Sequence, residues 1–335
     1  MKKIRIYGLI TGAIMCGLFL TAGCAKNNAI ALKFAPEDST TYKVTTEADK
    51  SVEWEGPAES KPKGFTGGHT GNRIEMTFTQ DIKSIDDKGN AAAKITIKGL
   101  KYLAKVKDNI VLDFDSSTGK DTSSPFSKLI GQSYTIELTS SGQVSKVIDA
   151  SDAQAAVSGG SSASKAAATL LSGDAIKELH MIPALPTADK DKFHIGDSWS
   201  SIEDFSFDLM GAKSYEKIYT LEKIEDPFLA SFMRILRKDP KDHRIAVARM
   251  NAVPSAEKAK ELYKEQAASF FSQMSDNIET YTGELKLDLT DGKIVEYHEK
   301  LQIEWIVLDP NPKGDKQPDA IRMTAVRLYS IEKID

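Results

Sequence analysis

Apolar and polar residues alternate along most of this chain, and this pattern limits the possible folds more than any other feature. From Leu32 onward the period is two residues, as in half-buried β-strands. Polar-glycine pairs at Ser141-Gly142 and Asp291-Gly292 are typical of hairpin turns between such strands. We therefore predict a mainly β (α+β) fold, with curved antiparallel sheets built from meanders and a few amphipathic helices packed on them.

Three segments depart from the strand pattern. The run from Ala150 to Ala168 is rich in Ala, Ser and Gly and becomes helical near Ser164, and helical spacing returns at 226–239 and 255–275. The predicted organisation is a signal segment (1–23), a tether (24–31), an N-terminal β region (32–150), a helical and Pro-rich linker (151–190) and a C-terminal β region with helical insertions (191–335). Two similar sheets and one continuous curved sheet both fit this pattern.

The first 24 residues predict a secretory signal. Lys2, Lys3 and Arg5 precede an apolar run from Leu9 to Leu20, which is too short to span a membrane as a helix. The closing Thr21-Ala22-Gly23-Cys24 resembles a bacterial lipoprotein signal, although Thr21 stands where that pattern has a large aliphatic residue. The resemblance implies lipidation at Cys24 and a cell-envelope location.

Composition excludes several functional classes. The full chain has a net charge of −4, and removing residues 1–23 takes away three positive charges and leaves −7. An acidic chain without a long basic run is a poor nucleic-acid partner. Cys16 would leave with the signal and Cys24 would be acylated, which leaves no cysteine for catalysis, a disulfide or a metal site.

Candidate catalytic motifs are better explained as structure. Gly196-Asp197-Ser198 is similar to a block in lipolytic serine esterases, but it lies mid-chain and indicates a turn before the strand that carries Trp199. The histidines lack the spacing that places two ligands on one helix or strand face, so we predict no metal and no cofactor. The five histidines are His69, His180, His194, His243 and His298.

Several short motifs together resemble a family of secreted bacterial proteins defined only as a domain of unknown function. They are Leu32-Lys33-Phe34, the segment Pro125 to Gly131 before a Tyr134 strand, Gly196-Asp197-Ser198-Trp199 and the Thr-Gly-Glu-Leu hairpin from Thr282. The resemblance implies an envelope location and a β-rich fold, and it supplies no catalytic residues. The inferred architecture is more distantly similar to the half-barrel carriers and receptors of lipoproteins.

Two functional hypotheses follow, and an enzyme ranks third because no convergent reactive groups are evident. The first is a lipid-anchored, non-enzymatic envelope protein that binds a lipid or another apolar ligand; Tyr102, Phe114, Phe271 and Trp305 are its candidate ligand-binding residues. The second is a structural or protein-interaction module with an envelope partner. Ala25 after Cys24 favours the outer membrane, facing the periplasm, over the inner membrane if the host follows the usual sorting rule.

Overall fold

A computed structural model of the chain describes residues 29–186, 192–207, 212–225, 243–255, 275–308 and 319–334. Within these ranges twelve strands form one open, curved antiparallel sheet in the order β6-β5-β3-β2-β1-β12-β11-β10-β9-β8-β7, with β4 paired to β3. The predicted fold class is confirmed. The strands are β1 Ser39–Glu55, β2 Gly68–Ile85, β3 Ala91–Val106, β4 Asn109–Asp115, β5 Ser133–Leu138, β6 Val144–Asp149, β7 Ser198–Ser206, β8 Ala212–Glu225, β9 Ile245–Pro254, β10 Ser275–Asp288, β11 Lys293–Leu308 and β12 Ala320–Lys333.

The first and last strands meet at the centre of the sheet. β1 pairs with β12 from Tyr42 opposite Lys333 to Glu55 opposite Ala320. β1 also pairs with β2, and β12 with β11, so hydrogen bonding continues from one half into the other. Of the two arrangements that the sequence left open, the chain adopts the single continuous sheet.

Turn and bulge positions follow the local sequence closely. At the predicted Gly99 irregularity, Thr77 pairs with Gly99 and Phe78 with Ile97, which leaves one extra residue on β3. The predicted loop at 56–71 is shorter than expected, because Gly68, the first residue of β2, already pairs with Val52 on β1. Polar side chains at 69, 70 and 72 concealed the start of this strand.

Three short helices, α1 Ser151–Ala156, α2 Ser162–Leu170 and α3 Gly173–His180, lie within the predicted linker. The Ser161 and Ser172 hydroxyls cap α2 and α3 by accepting hydrogen bonds from the backbone N–H groups of Ser164 and Ala175. The helices bury apolar side chains in the core that the sheet forms, including Ala153, Ala167, Leu170, Ile176 and Leu179. This segment is therefore part of the core as well as a connection.

The residues after α3 show how strongly the sheet curves. His180 contacts Tyr134 on β5, whereas the carbonyl of Ala184 accepts a hydrogen bond from Trp199 on β7 at 2.9 Å. Nine strand-to-strand steps separate β5 from β7, about 43 Å along a flat sheet. Five residues span no more than about 18 Å. Even with two long side chains, the two contacts require the sheet to curl around this segment.

The body of the protein begins before Leu32. Ile30, which was predicted to lie in the tether, is buried in the core. The next residues connect two hairpin tips: Leu32 N–H donates to the carbonyl of Ser140, and Lys33 N–H to that of Gly292. The tether before the folded body is thus shorter than the sequence suggested.

Some predictions concern other parts of the chain. The predicted helix at 226–239 lies outside the described residues, and so does the predicted helix at 255–275 except for its two end residues. Cys24 and Phe271 also lie outside them. Of the helices in the described ranges, none is long and apolar enough to cross a membrane.

Candidate functional site

A large open cleft lies between the helical layer and the strands of the C-terminal half. It encloses about 750 Å³. Side chains of α2 and α3, including Leu170 and Leu179, form one wall, together with Ile74 and Tyr102 from the sheet. The opposite side carries Glu203, Phe205, Tyr281, Glu299 and Tyr329 from β7, β10, β11 and β12. The cleft therefore combines an apolar wall with a polar, aromatic floor.

A buried lysine organises the floor of the cleft. On β8 the inward-facing residues are Tyr215, Lys217 and Tyr219, and the Lys217 side chain is only 1% exposed. Its ammonium group donates to Glu203 and, at 3.1 Å, to Glu299. The three charged groups come from β8, β7 and β11, so the curved sheet brings together residues that are distant in the chain.

Tyrosine hydroxyls complete this network. Tyr281 donates to Glu203 at 2.9 Å and Tyr297 donates to Glu299 at 2.5 Å. Tyr219 and Tyr297 share a further hydrogen bond of 3.2 Å between their hydroxyls. The four hydrogen bonds that Lys217, Tyr281 and Tyr297 donate to the two glutamates all reach Oε2 atoms.

The charges of the network follow from burial and pairing. Burial alone would lower the pKa of Lys217, but the carboxylates of Glu299 and Glu203 outweigh it and hold that pKa above its usual value. Burial raises the pKa of Glu299, against the opposing effect of Lys217. Burial also raises the pKa of Tyr219 to about 12, so this hydroxyl stays protonated. Lys217 therefore remains charged, and Glu299 is held in a site where its charge is costly.

Small residues make room for these long side chains. Between β8 and β11, the inward positions of β9 include Ala248 and Ala252, and β10 contributes Gly283. A Cβ atom added at Gly283 would lie 2.5 Å from the carbonyl oxygen of His298 and 3.1 Å from the Cβ of Glu299. Lys217 lies opposite Ala252 on β9, and Glu299 lies opposite Gly283 on β10, so Lys217 can reach across two strands to Glu299. Opposite Tyr219 the β9 residue is the buried Met250.

A second, partly buried pair lies beside the first. The Lys213 ammonium contacts the Glu279 carboxylate, which also accepts a hydrogen bond of 3.0 Å from Tyr215. Lys213 lies 6.0 Å from the centre of the Trp305 ring, within the range of a cation–π contact. Burial lowers the pKa of Lys213.

The structure separates the predicted ligand-binding residues. Tyr102 lines the cleft and stacks on Phe126 with 4.7 Å between ring centres. Phe114 is buried against the same Phe126 at 5.5 Å. Trp305 is buried against Phe207, also at 5.5 Å. Of the described candidates, Tyr102 is the one that faces the cleft.

The charged floor was missed, although the sequence carries a signal for it. Lys213-Tyr215-Lys217-Tyr219 and Tyr297-Glu299-Leu301 are alternate residues in which a charge occupies an apolar position. A charge on the buried face of a strand needs a partner, and opposite charges at such positions on several strands predict a network.

The Gly196-Asp197-Ser198 segment forms the predicted turn into β7. The Asp197 carboxylate accepts the His194 N–H at 2.8 Å, and the Ser198 hydroxyl lies 2.9 Å from that of Thr220. These contacts fix the start of β7 opposite the end of β8.

One group of described side chains has the composition of a metal site. His243 Nδ1 lies 2.5 Å from Asp288 Oδ2 and 3.7 Å from Asp291 Oδ2. The other Asp288 oxygen accepts the backbone N–H groups of Thr290 and Asp291. These bonds order the β10–β11 turn, which gives the group a structural role.

No protein-family model matches the chain, and no curated protein matches it. A structure titled "Lipid-protein interactions in lipovitellin" is 10% identical with a TM-score of 0.37, covering 90% of this chain and 26% of that one. DynF from the dynemicin biosynthesis pathway of Micromonospora chersina is 8% identical with a TM-score of 0.18, covering 91% and 85%. The chain spans about a quarter of the lipovitellin chain. Both TM-scores are below 0.5, so neither similarity carries an argument about function.

Proposed function

We propose that this chain is a lipid-anchored, non-enzymatic protein of the cell envelope that binds an amphipathic ligand in the cleft. The cleft is the observation that carries the proposal. Its volume of about 750 Å³ is within the range of roughly 300–1,000 Å³ typical of small-molecule sites. An apolar wall beside a floor of fixed polar groups suits a ligand with an apolar chain and a polar head.

The helical wall of the cleft is held in place by packing and hydrogen bonds, which favours ordered binding of a ligand. Leu170 and Leu179 are buried in the core while also lining the cleft, so the apolar wall is held by packing. Tyr329 donates to the backbone carbonyls of Leu179 and Met181, which fixes the end of α3 on β12. A wall that is fixed before binding lowers the entropy cost of holding a ligand.

We expect a bulky residue on the wall to block the cleft. Ala166 lies on α2, is half-buried and lines the cleft, so Ala166→Trp should fill part of it. A monoacylglycerol that carries a diazirine in its chain can be photo-crosslinked to the full chain in non-ionic detergent. Peptide mapping should show labels on the α2–α3 and β7 segments, reduced at least fivefold in Ala166→Trp.

Ala168→Trp is the matched control, because Ala168 is exposed on the same helix and is not part of the lining. It makes the same change in helix propensity within α2 and should leave the labelling unchanged. Equal labelling in both variants, or labels found only outside the cleft, would refute the proposed site.

The anchor is the second part of the proposal, and it rests on the sequence. Cys24 lies six residues before Ile30, which is already buried in the folded body. A lipid on Cys24 would therefore hold the body within about 20 Å of the membrane surface. The outer membrane is the proposed location, with the body facing the periplasm.

We expect Cys24→Ser to abolish both acylation and membrane association. Cells grown with an alkyne-bearing fatty acid report acylation, and fractionation reports membrane association. Cys16→Ser is the matched control, since Cys16 lies within the apolar run of the predicted signal. Acyl label retained in Cys24→Ser would contradict the proposed anchor.

An interaction surface remains the second candidate, and one exposed patch favours it. On the outward face near β7, the last strand of the sheet in the described ranges, Ile202 and Val253 both lie opposite Glu216, and Ile218 is two residues further along β8. All three side chains are exposed. In the described part of the chain β7 pairs on one side only, and exposed apolar groups beside such an edge strand are suited to contact with another protein.

A further inference from the structure

The described lining of the cleft carries an excess of negative charge. It includes five carboxylates, on Glu47, Glu178, Glu203, Asp204 and Glu299, and one guanidinium, on Arg327. Two further cations pair with these carboxylates, Arg73 with Glu47 and Lys217 with Glu203 and Glu299, so the carboxylates still outnumber the cations by five to three. A cleft with walls of low polarity concentrates the field of such charges. A cationic group is therefore attracted to this cleft, and an anionic one is repelled.

The network at the floor leaves acceptor atoms unused. Glu203 and Glu299 each accept two hydrogen bonds on Oε2, and among the described residues no donor reaches either Oε1 atom. The Glu299 side chain is only 9% exposed and lines the cleft. Neither Oε1 atom is among the buried polar atoms of the described residues that lack a partner, so both are accessible from the cleft and can accept hydrogen bonds from a ligand.

The network contains more carboxylates than ammonium groups. Two carboxylates, on Glu203 and Glu299, share one ammonium, on Lys217. A second ammonium would balance the charge and supply N–H donors to the free oxygens, since an ammonium carries three donors and no acceptor. A quaternary ammonium would supply the charge alone.

Aromatic rings lie where the rest of such a ligand would pass. Phe205 and Tyr281 both line the cleft, with 5.8 Å between their ring centres. Tyr281 also holds Glu203 through its hydroxyl. Rings beside a carboxylate can pack against the methylene groups next to an ammonium. They can also form a cation–π contact with the ammonium itself. The apolar wall of α2 and α3 would then contact the remaining chain.

We propose that the ligand is a primary-ammonium amphiphile, whose head binds the free oxygens of Glu203 and Glu299. This inference rests on the proposed function, because it assigns the head group of the ligand in the same cleft. A primary ammonium supplies both a positive charge and N–H donors, and a lipid without an amine lacks this combination.

Competition against the neutral photo-probe tests the head group. The competitors are dodecylamine, dodecyltrimethylammonium, dodecan-1-ol and dodecyl sulfate, each added to the full chain in the same non-ionic detergent. Dodecylamine should displace the probe from the cleft at a concentration at least tenfold lower than any other competitor. Dodecyl sulfate should be the weakest.

Glu203→Gln tests the assigned oxygens. The amide oxygen can still accept from Lys217 and Tyr281, whereas the amide nitrogen replaces the free acceptor with a donor. We expect this variant to lose at least tenfold in its response to dodecylamine and to keep its response to dodecan-1-ol. Glu178→Gln is the matched control: it removes a charge from an exposed lining residue outside the network and should lose less than threefold.

The outcomes separate the two proposals. If the neutral probe labels the cleft but dodecan-1-ol competes as well as dodecylamine, the cleft binds amphiphiles and the head-group assignment is wrong. Equal competition by dodecyltrimethylammonium would also overturn it, because charge without donors would then suffice. If the neutral probe never labels the cleft, the proposed function itself fails.

Discussion

Replacing Lys217 by methionine is expected to destabilise the protein by about 3–5 kcal/mol, the usual cost of leaving a buried charge without its partner. Methionine keeps most of the side-chain volume but removes the donor to Glu203 and Glu299. Urea denaturation of the purified chain measures the free energy of unfolding. Because Glu299 can then avoid its charge by binding a proton, the loss should be larger at pH 8 than at pH 5.5.

Two comparisons isolate the network from the general effect of losing a lysine. Lys286 pairs with Glu284 and Glu296 on the solvent side, so Lys286→Met should cost no more than about 1 kcal/mol. Adding Glu299→Gln to Lys217→Met should recover part of the stability, because it removes one of the unpaired charges. Equal losses for the two lysine variants would show that the buried network contributes little.

The alternation that predicts the strands also explains why the network is difficult to predict. Lys217 lies on the same face as Tyr215 and Tyr219, in keeping with a period of two residues. The period does not give the neighbours of β8, because strand pairing depends on the whole topology. Contact between Lys217 and Glu299 requires two intervening strands with small inward residues and a curved sheet, and these depend on pairing far along the chain.

The pairing of β1 with β12 has the same physical origin. Tyr42 lies opposite Lys333, and nearly the whole chain separates them. The local pattern marks both segments as strands, but each could satisfy its backbone groups with many partners. The predicted hairpins were within reach because their turns are local, as at Asp291-Gly292, where β10 returns directly as β11.

The predicted ligand-binding residues show a further limit. Tyr102, Phe114 and Trp305 were chosen because aromatic side chains in alternating strands face inward, and all three are buried. The face of the sheet on which a side chain lies is a local property of the strand. Whether that side chain lines a cleft or packs in the core depends on which other elements cover the sheet there. Phe126, in a short 3-10 helix after a polar loop, fills the space over Phe114.

His180 is expected to make the protein strongly sensitive to acid. It is buried in the core, where its Nε2 lies 2.6 Å from the Tyr134 hydroxyl and its ring lies edge-on to Phe78. Burial lowers the pKa of His180 to about 3, from 6.5. Below pH 6.5 the unfolded chain therefore binds a proton that the folded chain excludes, so stability falls as the pH decreases. The loss attributable to this residue between pH 7 and pH 4 is roughly 3 kcal/mol.

Urea denaturation from pH 7 to pH 4 tests this expectation by comparing His180→Gln with the wild-type chain. Glutamine can still hydrogen-bond the Tyr134 hydroxyl but does not titrate, so the slope of stability against pH should become shallower even if the variant is less stable overall. His298→Gln is the matched control for the loss of a histidine, because that ring is half-exposed on β11. Parallel slopes for wild-type and His180→Gln would mean that the folded protein admits the proton, and that His180 is not held in a closed core.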